Sequence, residues 1–241
     1  MATFTSFSDL LPDPNNKINT AGASDAAGNA GPGFAKVTFR SSNLVQSSRT
    51  VSGRGVTASL GQHKWEFDIS YNPLTRADFE PVSTFLETRQ GGLLPFYVIL
   101  PQHSMPQDPA FYNYVTSNTL TVSSAHSAGS STLTIQGTSI QGNPKPGDFF
   151  TIDDSNDVNH KKAYKVTRVE TPSLYQEGKP VFEGTRRIHI QPPLVRDTAG
   201  GSIVNFKNPK FRVMQKGDTL EYNLDTDNLY QFSLSLEEIQ P

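Results

Sequence analysis

Histidine is the side chain best suited to move protons near neutral pH, and the chain contains five of them. None lies in an HxH, HxxxH or HExxH spacing, the patterns that would bring two imidazoles to one metal ion. Surface or strand positions are therefore favoured over metal ligation for all five, which are His63, His103, His126, His160 and His189.

A short acidic run from Asp153 to Asp157 supplies several possible oxygen ligands for calcium. An EF-hand loop would also need a glycine at its sixth position and a glutamate at its twelfth, and this run has neither. We favour a hairpin loop between two strands and predict no metal site.

Paired carboxylates could form a glycosidase site, and Glu66 and Asp68 lie two residues apart on one face of a strand. Any amphipathic strand has the same spacing, and we favour that interpretation. Trp65, Phe67 and Tyr71 could stack on a sugar, but Trp65 and Phe67 share a face with Ile69, which indicates core. No GxSxG elbow is present. The sequence therefore predicts no catalytic, cofactor-binding or metal-binding residue and no enzyme.

Composition limits the classes of partner. The chain has 241 residues, and 21 basic against 23 acidic residues give a formal charge of -2, which argues against nucleic acid as the primary partner. It has no cysteine, which fits folding in a reducing cytoplasm. No apolar run reaches the roughly 20 residues that span a bilayer, and no signal peptide is recognised at the start. We expect a soluble chain without membrane insertion.

Many short segments alternate between apolar and polar residues, the period that half-buried antiparallel strands require. The clearest are residues 36–41, 63–71, 95–100, 131–137, 163–170, 187–191 and 229–238. A helix is predicted at 75–90, where Phe79, Val82, Phe85 and Leu86 form one stripe, with Thr75 as its N-cap. We therefore expect a mainly β protein.

Its expected organisation is an antiparallel β-sandwich module with one helix, built from residues 36–105 and 207–241. Residues 106–206 would form a linker and a small inserted β-barrel, because five or six strands follow one another there between Gly and Pro turns. Residues 1–35 are poor in large apolar side chains and are predicted to be a flexible N-terminal arm. Phe4 and Phe7 could anchor this arm on a neighbouring subunit, and a frayed terminus is the alternative.

Basic residues are concentrated in the first module, at Arg40, Arg49, Arg54, Lys64, Arg76 and Arg89. A surface that pairs with an acidic neighbour would explain the surplus, and scattered solvated charge is the alternative. We take Phe4, Phe7, Arg49, Arg54 and Arg76 as the candidate interface residues.

The order of short motifs between Ser47 and Phe206 resembles tail structural proteins of tailed bacteriophages, of the kind found at the distal end of the tail or in the baseplate. The positions behind the resemblance are Arg49, Gly53, Arg54, Trp65, Phe67, Pro73, Thr75, Arg76, Gly91, Gly147, Asp148 and Tyr164. The resemblance implies a non-enzymatic virion component made in the host cytoplasm. Its β module would form a homo-oligomeric ring around the tail axis, bound to tube, hub or baseplate proteins, with the barrel outside.

Two other functions remain open at this point. The chain could be a carbohydrate-binding module that recognises a host surface, or a hydrolase of cell-wall polysaccharide. A ring former should be oligomeric, whereas a binding module should be a monomer or trimer that retains a glycan.

Overall fold

The structure is a computed structural model that describes residues 8–19, 22–59, 63–173, 181–217 and 220–240. It divides into two compact units, one formed by residues up to Val98 with Arg212–Ile239 and the other built on Ile99–Phe211. The sequence had placed these boundaries at 105/106 and 206/207.

Fourteen strands and two α-helices are present in the described residues. In chain order they are β1 (Phe34–Ser42), β2 (Val45–Arg49), β3 (Gly55–Ser59), β4 (Lys64–Tyr71), α1 (Arg76–Thr88), β5 (Phe96–Ile99), α2 (Pro109–Ser117), β6 (Leu120–Val122), β7 (Thr132–Gln136), β8 (Phe149–Asp153), β9 (Ala163–Glu170), β10 (Thr185–Gln191), β11 (Ile203–Asn205), β12 (Lys210–Gln215), β13 (Tyr222–Leu224) and β14 (Tyr230–Glu238). The mainly β class with antiparallel sheets is confirmed.

The first unit is built on a sheet in the order β1-β4-β14-β12-β5, and β13 extends it by pairing with the start of β14. β4 lies between β1 and β14 and is antiparallel to both. Its side chains alternate as predicted, with Trp65, Phe67 and Ile69 buried and Glu66 and Asp68 on the other face. The last strand, β14, buries Phe232, Leu234 and Leu236 in the same way.

Helix α1 is continuous from Arg76 to Thr88 and buries its predicted apolar stripe. Pro81 lies inside the helix without ending it. Thr75 is the N-cap, but its hydroxyl donates to the Asp78 carboxylate at 2.7 Å and caps no backbone N–H. The helix ends where Gln90 and Gly91 adopt positive φ, the left-handed conformation common at helix C-termini.

The second unit contains the predicted barrel, which is closed in the order β10-β7-β6-β11-β8-β9. Residues 109–117, within the expected linker, form a second helix, α2, which the sequence did not predict. Asp108 caps this helix by accepting a hydrogen bond from the Ala110 N–H, and Pro109 occupies its first position. Phe111 and Tyr114, one turn apart, belong to the barrel core.

The described part of the N-terminal segment differs from the free arm that was expected. Leu11 is 1% exposed, and its N–H donates to the Tyr97 carbonyl, while the Tyr97 N–H donates to Asp9. Backbone hydrogen bonds to β5 therefore hold a stretch that has few apolar side chains of its own. Within the same segment, Gly31 lies against the Pro12 backbone. A Cβ at Gly31 would lie 2.4 Å from that backbone, so glycine is required there.

Candidate assembly interface

The segment between β1 and β4 is the most exposed part of the described first unit. β2 and β3 pair only with each other, and every residue from 43 to 58 is exposed. An isolated two-stranded hairpin is marginally stable in water, because it has no buried apolar face. We call residues 43–58 the cationic hairpin. No strand was predicted here, since a hairpin exposed on both faces has no apolar alternation.

A short network of hydrogen bonds fixes the turn of the cationic hairpin. The Thr50 N–H donates to the Arg54 carbonyl at 2.9 Å, and the Gly53 N–H donates to the Thr50 carbonyl at 2.8 Å. The Thr50 hydroxyl also accepts from the Arg54 N–H. Gly53 has φ +82°, which glycine adopts without steric cost. Val51 therefore stands at a defined, fully exposed tip.

Arg49 and Arg54 are brought together near this tip, since Arg49 pairs across the hairpin with Gly55, the neighbour of Arg54. No acidic residue occurs between positions 43 and 58. Within the described residues neither arginine forms an ion pair, whereas Arg40 pairs with Asp68 and Lys64 with Glu237. Exposed apolar side chains accompany this charge, namely Leu44, Val45, Val51 and Val56. The combination of unpaired arginines and apolar groups suits contact with another protein surface.

The other candidate interface residues lie elsewhere. Arg76 is in the first turn of α1, where it pairs with Glu80 at 3.1 Å, so it does not join the two hairpin arginines. Phe4 and Phe7 fall outside the described residues. Arg89 is partly buried, and its guanidinium donates to the Ser8 carbonyl. Burial lowers its pKa.

Glu66 and Asp68, the possible glycosidase pair, and Trp65, part of the possible sugar platform, make contacts within the sheet of the first unit. Glu66 accepts a hydrogen bond from Lys216 at 2.8 Å, and Asp68 accepts one from Ser235 at 2.8 Å. The Ser235 hydroxyl is the main cause of a lowered pKa at Asp68. Trp65 is 2% exposed and stacks on Phe39 at 4.9 Å between ring centroids, so its indole is not a surface platform.

The acidic run forms the loop between antiparallel strands β8 and β9, as predicted. Burial would raise the pKa of Asp154, but the N–H groups of Ala199 and Asn156 donate to its carboxylate at 2.9 and 2.8 Å and lower it overall. Asp157 pairs with Arg196 at 3.0 Å. These carboxylates therefore hold their loop against residues 196–199. Within the described residues no group of three or more His, Asp or Glu side chains is placed to hold a metal ion.

His160 is buried in the barrel unit, in contact with Tyr164. The Tyr164 hydroxyl accepts a hydrogen bond from the Val195 N–H at 3.1 Å and lies 2.7 Å from His160 Nε2. When Nε2 is unprotonated, the Tyr164 hydroxyl can donate its proton to it. Burial lowers the pKa of His160 and favours that neutral form.

Sequence reasoning missed a buried carboxylate in the barrel. Glu170 is 0% exposed, and its two oxygens contact Arg187 at 2.8 Å and His189 at 2.6 Å. These residues are 17 and 19 positions from Glu170 and meet because β9 pairs with β10. Only the strand register brings them together, so local spacing carried no signal.

Among the described residues no helix is both long and apolar enough to cross a membrane. No protein-family model matches the chain, and no curated protein matches its sequence.

Proposed function

We propose that this protein is a structural component of a bacteriophage tail that forms a ring at the distal tail or baseplate and links the tube to peripheral proteins. The observation that supports the proposal best is the cationic hairpin. All of its residues are exposed, including both arginines and the apolar side chains. Such a segment is useful to a chain whose role is contact with other subunits.

Two further features favour this function. The motif order between Ser47 and Phe206 resembles distal tail and baseplate proteins, and the hairpin residues Arg49, Gly53 and Arg54 are among the positions that resemble them. A closed barrel inserted between two halves of a sheet unit also suits a ring former, because the sheet unit can make the ring while the barrel stays available to other proteins.

The location can be tested with an antibody raised against the purified chain. Electron microscopy of tailed particles should show the label at the distal end of the tail, and the purified chain should form rings with rotational symmetry. Label on host cell surfaces but absent from tails would contradict the proposal and favour a secreted binding module.

Charge reversal tests the role of the hairpin. Arg49→Glu with Arg54→Glu should leave the unfolding free energy within about 0.5 kcal/mol, because both side chains are exposed, and should block incorporation into tails. The matched control is Lys207→Glu with Lys210→Glu, which makes the same change in net charge at two other exposed positions. If the arginine variant enters tails normally, the hairpin is not part of the interface.

A further inference from the structure

The opposite end of the first unit's sheet has the opposite charge. Residues 220–229, which we call the acidic segment, contain Glu221, Asp225 and Asp227 and no basic residue. The segment includes β13, and its apolar side chains Tyr222 and Leu224 are exposed. It therefore has the same mixture of charge and apolar surface as the cationic hairpin, with the sign reversed.

Strand register fixes the points at which both surfaces join the sheet. The cationic hairpin leaves the sheet where Ser42 pairs with Lys64, at the start of β4. β13 pairs with Phe232, which stacks on Tyr71 at the end of β4. The seven steps from Lys64 to Tyr71 span about 23 Å at about 3.3 Å per residue. The two attachment points are therefore separated by more than the Debye length, which is about 8 Å at physiological salt.

Basic side chains near the acidic segment are already neutralised by carboxylates. Arg76 at the start of α1 pairs with Glu80. Lys216 pairs with Glu66, and this contact is the main cause of its raised pKa. The acidic segment therefore keeps a local excess of negative charge.

A groove lies beside the acidic segment and could receive the tip of a hairpin. Its volume is about 610 Å³, and its lining includes Glu221, Asn223 and Tyr71. Its lining is largely polar, with Asn223, Gln231 and Ser233 beside Glu221, so it offers hydrogen-bond acceptors and a negative charge to the arginines of a hairpin tip.

From this placement we infer that the cationic hairpin of one subunit docks against the acidic segment and its groove on a second copy of the chain. The inference rests on the proposed ring and names its contact. Because the two surfaces differ and lie at opposite ends of the sheet, the contact is head-to-tail, the kind that closes into a ring or continues as a filament. A two-fold contact between hairpins would instead bring four arginine side chains together, and their repulsion opposes it.

The absence of cysteine from the chain allows a direct test by disulfide cross-linking. Val51→Cys places a thiol at the hairpin tip, and Asn223→Cys places one at the groove; both positions are exposed. Under oxidation the double variant should give a ladder of linked multimers, and each single variant should give none. Efficient dimers from Val51→Cys alone would indicate a tip-to-tip contact and overturn the inference.

Charge swaps in the double-cysteine background test the chemistry. Arg49→Glu with Arg54→Glu should lower the ladder yield at least tenfold, and adding Glu221→Arg with Asp227→Arg should restore most of it. Asp225 is left intact, because its carboxylate accepts the N–H groups of Asp227 and Leu229. If the ladder yield does not fall when the arginines are reversed, or if the second pair of substitutions does not restore it, the inference would also be overturned.

Light scattering of the unmodified chain distinguishes failure of this contact from failure of the proposed ring. Rings without a hairpin-to-groove ladder would refute this contact and leave the proposed ring intact. A chain that neither self-associates at any concentration nor enters tails would refute both.

Discussion

Phe67→Ala is expected to destabilise the first unit strongly. Phe67 lies at the middle of β4, is 0% exposed, and pairs across the sheet with Phe39 on one side and Leu236 on the other. Its ring centroid is 5.1 Å from that of Phe39. Truncating a buried phenylalanine to alanine costs about 3–5 kcal/mol, through lost burial and the cavity that remains. With a urea dependence of about 2 kcal/mol per molar, the unfolding midpoint should fall by about 2 M.

The assay uses the only tryptophan, Trp65, which is buried on the same face two residues away and reports on this unit. Urea unfolding would be followed by its fluorescence and by circular dichroism. The matched control is Phe182→Ala, because Phe182 is 70% exposed and its loss should cost less than about 0.5 kcal/mol. A midpoint for Phe67→Ala within about 0.5 M of the parent would show that β4 does not pack as described.

Three further predictions concern the barrel unit. Burial lowers the pKa of His160. As the pH falls below about 6.5, the unfolded chain therefore binds the proton more readily than the folded chain, and the unfolding free energy should decrease. His160→Gln should reduce this pH dependence of the melting temperature, and an unchanged profile would exclude His160 as a cause. Glu170→Gln should cost about 3–5 kcal/mol in urea unfolding, because Arg187 loses a buried charge partner at 2.8 Å; a cost below about 1 kcal/mol would contradict this account. Asp108→Ala should cost about 1 kcal/mol by removing the cap of α2, and Asp108→Asn should recover most of that loss.

The sequence predicted the elements whose burial is periodic. Alternation along residues 63–71 assigned Trp65, Phe67 and Ile69 to the core, and the helical stripe from Phe79 to Leu86 located α1 to within two residues at its C-terminal end. These predictions succeeded because a sheet with one buried face and a helix on a core both repeat their burial at the period of their own geometry.

The elements that were missed have no periodic burial, and the missed contact joins residues that are far apart in the sequence. Helix α2 is short and follows a proline-rich stretch, so its local signals were only the cap at Asp108 and Pro109 and one apolar pair, Phe111 and Tyr114. β2, β3 and β13 are exposed, so selection for burial leaves no alternation in them. The contact of Glu170 with His189 depends on the pairing of β9 with β10, which no local pattern encodes.

Folding and the proposed assembly depend on different residues of the first unit. The apolar side chains of β4 and β14 form its core, whereas the cationic hairpin is exposed throughout and the carboxylates of the acidic segment lie outside that core. A net charge of only -2 hides this arrangement, because the positive and negative groups cancel in the sum while they lie at opposite ends of the sheet. Reversing the charge at one end should therefore abolish assembly without unfolding the subunit. Equal mixtures of the hairpin-reversed and segment-reversed chains should assemble again, since each hairpin then meets a surface of opposite sign on the other variant.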